Sequence, residues 1–462
     1  MAEYISLSDI LAVAKVHPFY SDKKFPPTRE DLLQILAASK DNKNVMDLKS
    51  FPLKRKNALY QEIARLTVDT DPRNGYRRST YISTTGGGSG GPPMVFATDS
   101  EENRRQRATI GSLMRNCGVI EPGDWVLTMH VSGNFYRALD LMTELFEQAG
   151  ASVLCAGPEM SHQDVVDAIS YYQVNIVTGD AGQLVQLAKY ATTLTETQRN
   201  SIHLTKVLYT SEPMTPAQRR FVMSVFGDID ICSVIGSAEA GPWAISSSSL
   251  MGHTAENHAD FIFDIRTILL EVLPLSIEGT SEDQIECLPD GEKGLLVQTS
   301  LERLRNPLVR YVCGDVASLH PLPQAVQTRL KEDAHHYRVV RIYGRDRQIS
   351  FDWYGEYFEF QNVQALMRTE TWGILQWQVI LRNKTDDGLE VLLEIRLLRA
   401  MQNDAENISE NDLVRKIRHF FNVFDFNEDL FHLKFLEDFD GFERSTTGRK
   451  VLNFVDLTGY SN

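Results

Sequence analysis

The sequence predicts an α/β protein with a large N-terminal domain and a small α+β C-terminal domain. Between residues 125 and 235, short apolar runs alternate with helical stretches, which is typical of parallel sheets covered by helices. Past residue 250 strand-like runs follow one another and indicate an antiparallel, barrel-like subdomain that ends near Gly344. The remaining residues have an α-β-β-α-β order, which suits a small α+β domain. We therefore predict domains at residues 1–344 and 345–462.

Local signals place the individual elements. Up to about residue 75 the chain is polar and helical, and one helix is expected to begin after Thr28, because a threonine ahead of acidic residues and an apolar run is a helix-start signal. Asp99 followed by Glu102 resembles a capping box and predicts a helix from Ser100 to Cys117. Further helices are predicted at residues 135–149, 164–172, 182–190, 216–226, 359–369 and 410–421. Strands are predicted at residues 125–130, 151–156, 174–178, 206–209, 229–235, 261–273, 294–299, 375–382, 389–398 and 431–435.

The composition is that of a globular protein without a nucleic-acid or membrane partner. Of the 462 residues, 42% are hydrophobic and 24% are charged, so a large core is available. The formal net charge of -15 disfavours nucleic acids and anionic membranes, since both would repel the chain. No apolar run approaches the ~20 residues of a membrane-spanning helix, and the first residues lack signal-peptide features. The 5 cysteines lack C-x-x-C spacing and indicate reduced thiols, so we expect a cytoplasmic protein.

A glycine-rich loop, Gly86 to Gly91, lies between two strand-like runs at residues 81–84 and 94–98. Glycine readily adopts the backbone conformations that turn several N–H groups toward one point, and such a nest binds phosphate. A flexible linker is the alternative, although linkers rarely lie inside a hairpin. The loop is followed by Pro92 and a second strand rather than a helix, and it lacks a G-K-[ST] ending. It is therefore neither a dinucleotide fingerprint nor a Walker loop.

Five further stretches follow this loop in a particular order. They are Tyr209 to Pro213 (YTSEP), Ile235 to Pro242 (IGSAEAGP), Asn306 to Asp315 (NPLVRYVCGD), Tyr343 to Asp346 (YGRD) and Arg444 to Lys450 (RSTTGRK). Together with the glycine loop, this order resembles that of the adenylate-forming ligases, and within them the phenylacetate-CoA ligase branch. The resemblance extends from about residue 15 to residue 456.

The resemblance implies two half-reactions. A carboxylic acid, aryl or another small organic acid, would attack the α-phosphorus of ATP and expel pyrophosphate. A nucleophile, usually the thiol of coenzyme A, would then attack the acyl-adenylate. Such chemistry depends on positioning and on neutralisation of charge. The resemblance also implies that a mobile C-terminal domain rotates about residues 345–347 between the two steps.

Roles for individual residues follow from the resemblance. The nucleotide would be held by backbone and hydroxyl groups of Thr84, Thr85, Gly87, Gly88, Ser89 and Gly90, by Ser211, Glu212, Pro213, Ile235, Gly236 and Ser237, and by Asp315 and Arg345. Glu239 would bind Mg²⁺, a hard cation that prefers carboxylate oxygen, and Asp315 would accept hydrogen bonds from the ribose hydroxyls. The acyl group would lie against Phe135, Tyr136, Ile235, Ala240 and Trp243. Lys450 or Arg449 would bring a cation to the carboxylate and the α-phosphate.

Each residue also has an ordinary interpretation. Glu239 could be an acid at a helix start, Asp315 a turn residue, Arg345 a partner in a surface ion pair, the aromatic residues core, and the basic residues near the C-terminus a solvated turn.

Several positions depart from the family pattern. Gly91 stands where the phosphate loop has a lysine, which removes one cation. Ala238 replaces a hydroxyl residue before Glu239, and Ser237 is a candidate substitute. Arg449 precedes Lys450 where the family has a single lysine after glycine, and arginine and lysine differ in reach and geometry.

Three functions remain open on this basis. The first is an acid ligase that uses ATP and Mg²⁺ and transfers the acyl group to coenzyme A. The second keeps the adenylation step but uses an acyl carrier protein or an amine as acceptor, because residues 347, 348 and 353–355 differ from the family where it meets coenzyme A. The third is a protein that binds nucleotide without turnover.

Overall fold

A computed structural model of the chain describes residues 4–41, 47–84, 95–133, 135–210, 214, 216–252, 258–275, 285–345, 350–385, 388–399, 408–444 and 451–458. These residues form two compact units. The larger unit contains the described residues up to Thr210 and those from Val222 to Gly344. The smaller contains those from Arg345 onward, with Met214 and residues 216–221.

The larger unit is built on one mixed β-sheet. Its strands lie in the order Ile268–Leu273, Gly294–Ser300, Tyr311–His320, Tyr337–Arg345, Ala259–Asp264, Gly241–Ser247, Asp230–Ser237, Lys206–Thr210, Ile176–Asp180, Trp125–Thr128 and Ser152–Cys155, and Lys54–Arg55 pairs with Tyr311–His320. The strands from Asp230–Ser237 to Ser152–Cys155 pair in parallel. The next three pairs beyond Asp230–Ser237 are antiparallel. The sheet confirms the predicted α/β class, and the antiparallel strands after residue 240 continue the parallel ones within it.

Helices connect and cover the parallel strands. Before residue 345 they are Leu7–Ala14, Arg29–Asp41, Lys56–Val68, Ser100–Cys117, Ala138–Ala149, His162–Tyr172, Ala181–Thr192, Glu196–Arg199, Pro216–Phe226, Ser248–Met251 and Gln324–Leu330. Met114 and Phe146, on two neighbouring helices, are fully buried in the same cluster as Ile176 and Leu208 from the strands. Burial of such side chains is worth about 1.5–3 kcal/mol each, and this packing fixes the helices against the sheet.

The strands that flank the glycine loop are confirmed. Thr80–Thr84 and Val95–Asp99 pair antiparallel, and the helix Ser100–Cys117 follows directly. Asp99 caps this helix by accepting hydrogen bonds from the backbone N–H groups of Glu101 and Glu102. Residues 85–94, which include the loop itself, lie outside the described residues. The helix Ser100–Cys117 therefore follows the second strand and not the glycine loop, as the two prolines after the loop indicate.

The smaller unit is an α+β fold, as predicted. Its elements are the hairpin Ser350–Trp353 and Glu356–Glu359, the helices Phe360–Met367 and Glu410–Phe420, and a sheet with the order Phe431–Leu436, Val391–Arg399, Ile374–Asn383 and Phe454–Asp456. The hairpin turn has positive φ at both Tyr354 and Gly355, which matches the right-handed twist of the strands. Phe351, Phe358 and Phe421 are buried together in the core of this unit.

Three local predictions are wrong. The helix expected at residues 135–149 begins at Ala138, because Phe135 has a φ of 67° that a helix excludes and Tyr136–Arg137 pairs with Ser132–Gly133. The single strand expected at residues 261–273 is two strands separated by a turn. Glu102 does not complete a capping box, because its carboxylate accepts hydrogen bonds from the backbone of Leu304 and Arg305 instead.

Among the helices that the structure describes, none combines the length and the hydropathy that crossing a membrane requires.

Candidate functional site

The carboxyl ends of two parallel strands meet around His130. This residue follows the strand Trp125–Thr128, and its Nε2 lies 2.9 Å from Oγ1 of Thr210, the last residue of Lys206–Thr210. Its Nδ1 lies 3.0 Å from Oγ1 of Thr128. Burial lowers the pKa of His130 to about 3, so the ring is neutral at physiological pH. Ligands of parallel α/β sheets bind at this edge, and the stretch after Thr210 begins here.

Glu239 lies in the turn that joins the antiparallel strands Asp230–Ser237 and Gly241–Ser247. Oγ of Ser237 accepts a hydrogen bond of 3.0 Å from the backbone N–H of Ala240. Nε2 of Gln106 donates to the Ala240 carbonyl at 2.7 Å. The turn is therefore held both by its own serine and by the helix Ser100–Cys117.

Gly241 closes this turn in a conformation that other residues rarely adopt. Its φ is 72°, and a Cβ atom at this position would lie 2.2 Å from Oε1 of Gln106 and 2.9 Å from Nη2 of Arg303. Both the backbone angle and the close side chains require glycine here. The position of Glu239 thus depends on two side chains from other segments as well as on its own turn.

The carboxylate of Glu239 is buried, with 5% of its surface exposed, and two hydroxyl groups bind it. Oη of Tyr60 donates to Oε1 at 2.5 Å, and Oη of Tyr311 donates to the same oxygen at 3.0 Å. Burial alone would raise the pKa of Glu239, but the charge of Lys56 and the two hydroxyl groups outweigh it and bring the pKa below its ordinary value. Burial and the neighbouring carboxylate raise the pKa of Tyr60, so its hydroxyl group keeps the proton that it donates. The site therefore contains an ionised acid in a mostly apolar setting.

Such a carboxylate fits Mg²⁺. Mg²⁺ is usually bound by one or two carboxylates together with substrate phosphates, rather than by a full set of protein ligands. No group of three or more histidine, cysteine or acidic side chains with metal-binding geometry occurs among the described parts of the chain. A metal at Glu239 would accordingly need oxygen atoms from the nucleotide.

Asp315 lies in a bulge of the strand Tyr311–His320. Val312 pairs with Val297 and Val316 pairs with Leu295, so the three residues between Val312 and Val316 lie opposite a single residue of the neighbouring strand. Gly314 has a φ of 88° within the bulge. Bulges redirect side chains and are common beside functional sites. Asp315 is partly exposed, and Tyr311 at the start of the same strand contacts Glu239.

The residues expected to bind the acyl group fall into two places. Ala240 and Trp243 are buried in one hydrophobic cluster, and Ile235 packs against it. Trp243 is also the extra residue of a second bulge, because Ile235 pairs with Ala244 and Gly236 pairs with Pro242. Ala240 and Trp243 also line a narrow crevice. Phe135 is 79% exposed on the hairpin before Ala138, and Tyr136 beside it is partly buried.

Several expected site residues lie outside the described residues. They are Thr85, Gly87, Gly88, Ser89, Gly90, Ser211, Glu212, Pro213, Arg449 and Lys450. The side chains of Thr84 and Arg345 are also outside them.

The structure adds residues that the motifs did not indicate. Lys56 and Tyr60 come from the first two turns of the helix Lys56–Val68, and Gln106 comes from Ser100–Cys117. In the sequence, Tyr60 has the spacing of a core residue, since it shares the buried face of its helix with Ile63. The sequence carries no signal that its hydroxyl group meets a carboxylate 179 residues away.

Comparison with known proteins bears on the fold. No protein-family model matches the sequence, and no similar sequence is found among curated proteins. Among solved structures, the chain is similar to 2-hydroxyisobutyryl-CoA ligase in complex with 2-HIB-AMP and CoA. The TM-score is 0.68 at 16% identity, over 97% of this chain and 87% of that one. It is also similar to the amide bond synthetase McbA from Marinactinospora thermotolerans, with a TM-score of 0.53 at 14% identity, over 81% of this chain and 68% of that one.

The chain therefore has the fold of these two enzymes. This confirms the architecture that the ordered motifs implied. Assignment to the phenylacetate-CoA ligase branch stays a prediction.

Proposed function

We propose that the chain uses ATP to activate a carboxylic acid as an acyl-adenylate and then transfers the acyl group to coenzyme A. The observation that carries the proposal is Glu239, a buried carboxylate kept ionised by Lys56, Tyr60 and Tyr311. Buried charges in proteins are paired or bind metal ions, and acids with shifted pKa values concentrate at functional sites. The fold adds support, since a similar ligase has been solved with 2-HIB-AMP and CoA.

The first half-reaction joins the acid to AMP. An oxygen of the substrate carboxylate forms a bond to the α-phosphorus of ATP, the bond from that phosphorus to the bridging oxygen breaks, and pyrophosphate leaves with the electron pair. Glu239 would hold Mg²⁺, which supplies charge neutralisation to the polyphosphate when bound. Ser237 lies one residue before Ala238 and keeps a hydroxyl group in the turn, so it is our candidate for a contact to the α-phosphate. Asp315 would accept hydrogen bonds from the ribose hydroxyls.

The second half-reaction replaces AMP by a thiol. The sulfur of coenzyme A forms a bond to the carbonyl carbon, the bond from that carbon to the phosphate oxygen breaks, and AMP leaves while the thiol proton goes to solvent. Ala240 and Trp243 would form one wall of the acyl site. They are buried in a hydrophobic cluster, which favours an apolar acyl group. Lys450 or Arg449 would provide the cation for the first half-reaction.

The test is pyrophosphate release from Mg·ATP in the presence of a panel of aryl and short aliphatic acids. We expect release that depends on the acid, and a loss of at least about 100-fold in kcat/KM in Glu239→Gln, as expected when a charge-stabilising group is removed. Asp124→Asn is the matched control, because Asp124 is a buried acid just before the strand Trp125–Thr128, at the opposite end of the parallel strands. The proposal is wrong if no acid of the panel produces pyrophosphate release.

The similarity to an amide bond synthetase favours a second candidate, in which an amine accepts the acyl group. An acyl carrier protein is the third possible acceptor. The acceptors are separated by supplying coenzyme A, an amine panel or a carrier protein to the enzyme with its active acid, and by measuring thioester and amide products by mass spectrometry. Rapid thioester formation with free coenzyme A would count against both alternatives.

A further inference from the structure

Arg303 is a buried cation that forms no hydrogen bond or ion pair with the described residues. It lies between the strands Gly294–Ser300 and Tyr311–His320, and only 2% of its surface is exposed. Its Nε and Nη1 atoms are buried and have no hydrogen-bond acceptor in the described part of the chain. An unpaired buried donor costs about 1–3 kcal/mol, and more when it is charged, so such a residue calls for an explanation.

Other arginines with buried unpaired nitrogen atoms differ from Arg303. Arg105, Arg107, Arg310 and Arg382 each form an ion pair with Glu302, Glu144, Glu271 and Glu394 respectively. A guanidinium has more N–H groups than one carboxylate accepts, so some unpaired nitrogen atoms are expected in these four arginines. Among the described residues, no carboxylate oxygen lies within the 4.0 Å of an ion pair with Arg303.

The carboxylates near Arg303 are committed elsewhere. Glu239 is bound by two tyrosines, Glu102 by the backbone N–H groups of Leu304 and Arg305, and Glu302 by Arg105. Their charges favour the cation, while burial lowers the pKa of Arg303 to about 10, so it stays charged at neutral pH. These three carboxylates balance the charge of Arg303 electrostatically, but none of them accepts a hydrogen bond from it.

The surroundings place Arg303 at the candidate site. Its Nη2 would meet a Cβ atom of Gly241 at 2.9 Å, so it packs against the turn that carries Glu239. Its guanidinium carbon lies 5.6 Å from the ring centre of Phe96, on the strand Val95–Asp99. Arg303 therefore contacts the turn that carries Glu239 and the strand that follows the glycine loop in the chain.

We propose that Arg303 receives an oxyanion of the bound ligand, and that a phosphate or carboxylate oxygen accepts the hydrogen bonds that its buried N–H groups lack. This inference rests on the proposed function. Charge-assisted hydrogen bonds between a guanidinium and an oxyanion are strong, and burial makes them stronger. Arg303 and Glu239 would then place opposite charges at the same turn.

Calorimetric titration of the full chain with Mg·ATP, Mg·pyrophosphate and adenosine tests the inference. In Arg303→Met we expect Mg·ATP and Mg·pyrophosphate to bind about 10- to 100-fold more weakly and adenosine to bind unchanged. A purely structural role would weaken adenosine and ATP together. If only the KM of the activated acid rises, the oxyanion is the substrate carboxylate. Equal binding of all ligands and an equal KM would overturn the inference.

Two further variants keep the test decisive. Arg303→Lys retains the cation and changes only the donor geometry, so it should bind Mg·ATP with intermediate affinity even where Arg303→Met does not fold. Arg107→Met is the control, because Arg107 is equally buried and ion-paired, and its loss should not discriminate pyrophosphate from adenosine. Absence of ATP binding and of pyrophosphate release in the unmodified chain would refute the proposed function. Normal turnover with an unaffected Arg303→Met would refute the role of Arg303 alone.

Discussion

Replacing Tyr60 by phenylalanine removes the shorter of the two hydroxyl contacts to the Glu239 carboxylate, 2.5 Å against 3.0 Å for Tyr311. A hydrogen bond to a charged group is worth about 1.5–3 kcal/mol, so Tyr60→Phe should lower the free energy of unfolding by about 2 kcal/mol at pH 7. The same change should raise the pKa of Glu239, because the ionised carboxylate loses one of the hydroxyl groups that stabilise it.

The sign of the pH dependence follows from the depressed pKa of Glu239. Its ionised form contributes stability that is present above the unfolded-state pKa and is lost as the pH falls through the folded-state pKa. The difference in stability between the parent chain and Tyr60→Phe should therefore be constant from pH 8 to about pH 6. It should shrink as Glu239 in the folded variant takes up its proton at lower pH.

Urea denaturation across this pH range measures the effect, and a double-mutant cycle with Glu239→Gln isolates the coupling between the two side chains. Tyr20→Phe is the control, because the Tyr20 hydroxyl group donates to the carbonyl oxygen of Val309 and accepts from the N–H group of the same residue. Both partners are neutral, so its loss should cost about 1–3 kcal/mol without a pH-dependent component. A coupling energy near zero in the cycle, or identical pH profiles for Tyr60→Phe and Tyr20→Phe, would refute the assignment of Tyr60 as a support for a buried charge.

Three more predictions concern other parts of the larger unit. Gly241→Ala should lower the free energy of unfolding by about 2–5 kcal/mol, because the added methyl group would lie 2.2 Å from a side-chain oxygen. Gly227→Ala is the control in the same urea titration. Gly227 has a φ of 87° and open space around it, so this change should cost only about 1–2 kcal/mol. Burial lowers the pKa of both His17 and His130 to about 3, so below about pH 6.5 these histidines bind protons in the unfolded chain and stay neutral in the folded chain. The free energy of unfolding should therefore fall by about 1.4 kcal/mol per pH unit for each histidine as the pH decreases. A variant with glutamine at both positions should show a shallower slope of stability against pH. Asp315→Asn should weaken AMP binding by about 10-fold or more in calorimetry while leaving the melting temperature within a few degrees, and unchanged AMP affinity would exclude it as the ribose ligand.

Local signals in the sequence predicted the elements whose ends are capped by their own residues. The helix Ser100–Cys117 has the predicted bounds; Asp99 caps its start, and in the structure Gly118 ends it with a φ of 71°. The helix Pro216–Phe226 was also predicted at both ends. The hairpin before Ala138 was missed because its apolar residues have helical spacing, and only the positive φ of Phe135 separates the two possibilities.

Long-range contacts account for what the sequence did not predict in the site. The motif that contains Glu239 was recognised, but its environment depends on Tyr60 and Gln106, which reach it from segments far away in the chain. Glu102 illustrates the same limit, since a local pattern assigned it to a helix cap and the fold uses it to hold the backbone of Leu304 and Arg305. Tertiary partners of this kind leave no spacing in the sequence from which they could be derived.

The departures from the family pattern gain a different meaning beside Arg303. Glycine at position 91 removes a cation from the loop, and this loss motivated the hypothesis of nucleotide binding without turnover. Transfer of an adenylyl group requires positive charge near the oxygens that develop negative charge, and it does not require that a particular segment supply it. Arg303 is charged and buried against the turn that carries Glu239, and two of its N–H groups lack acceptors among the described residues. We therefore expect it to supply this charge from the connection between the strands Gly294–Ser300 and Tyr311–His320. Buried N–H groups that no described residue accepts from cost stability, and an oxyanion of the bound ligand would offset that cost, so Arg303 favours ligand binding with turnover over a fold kept for packing alone.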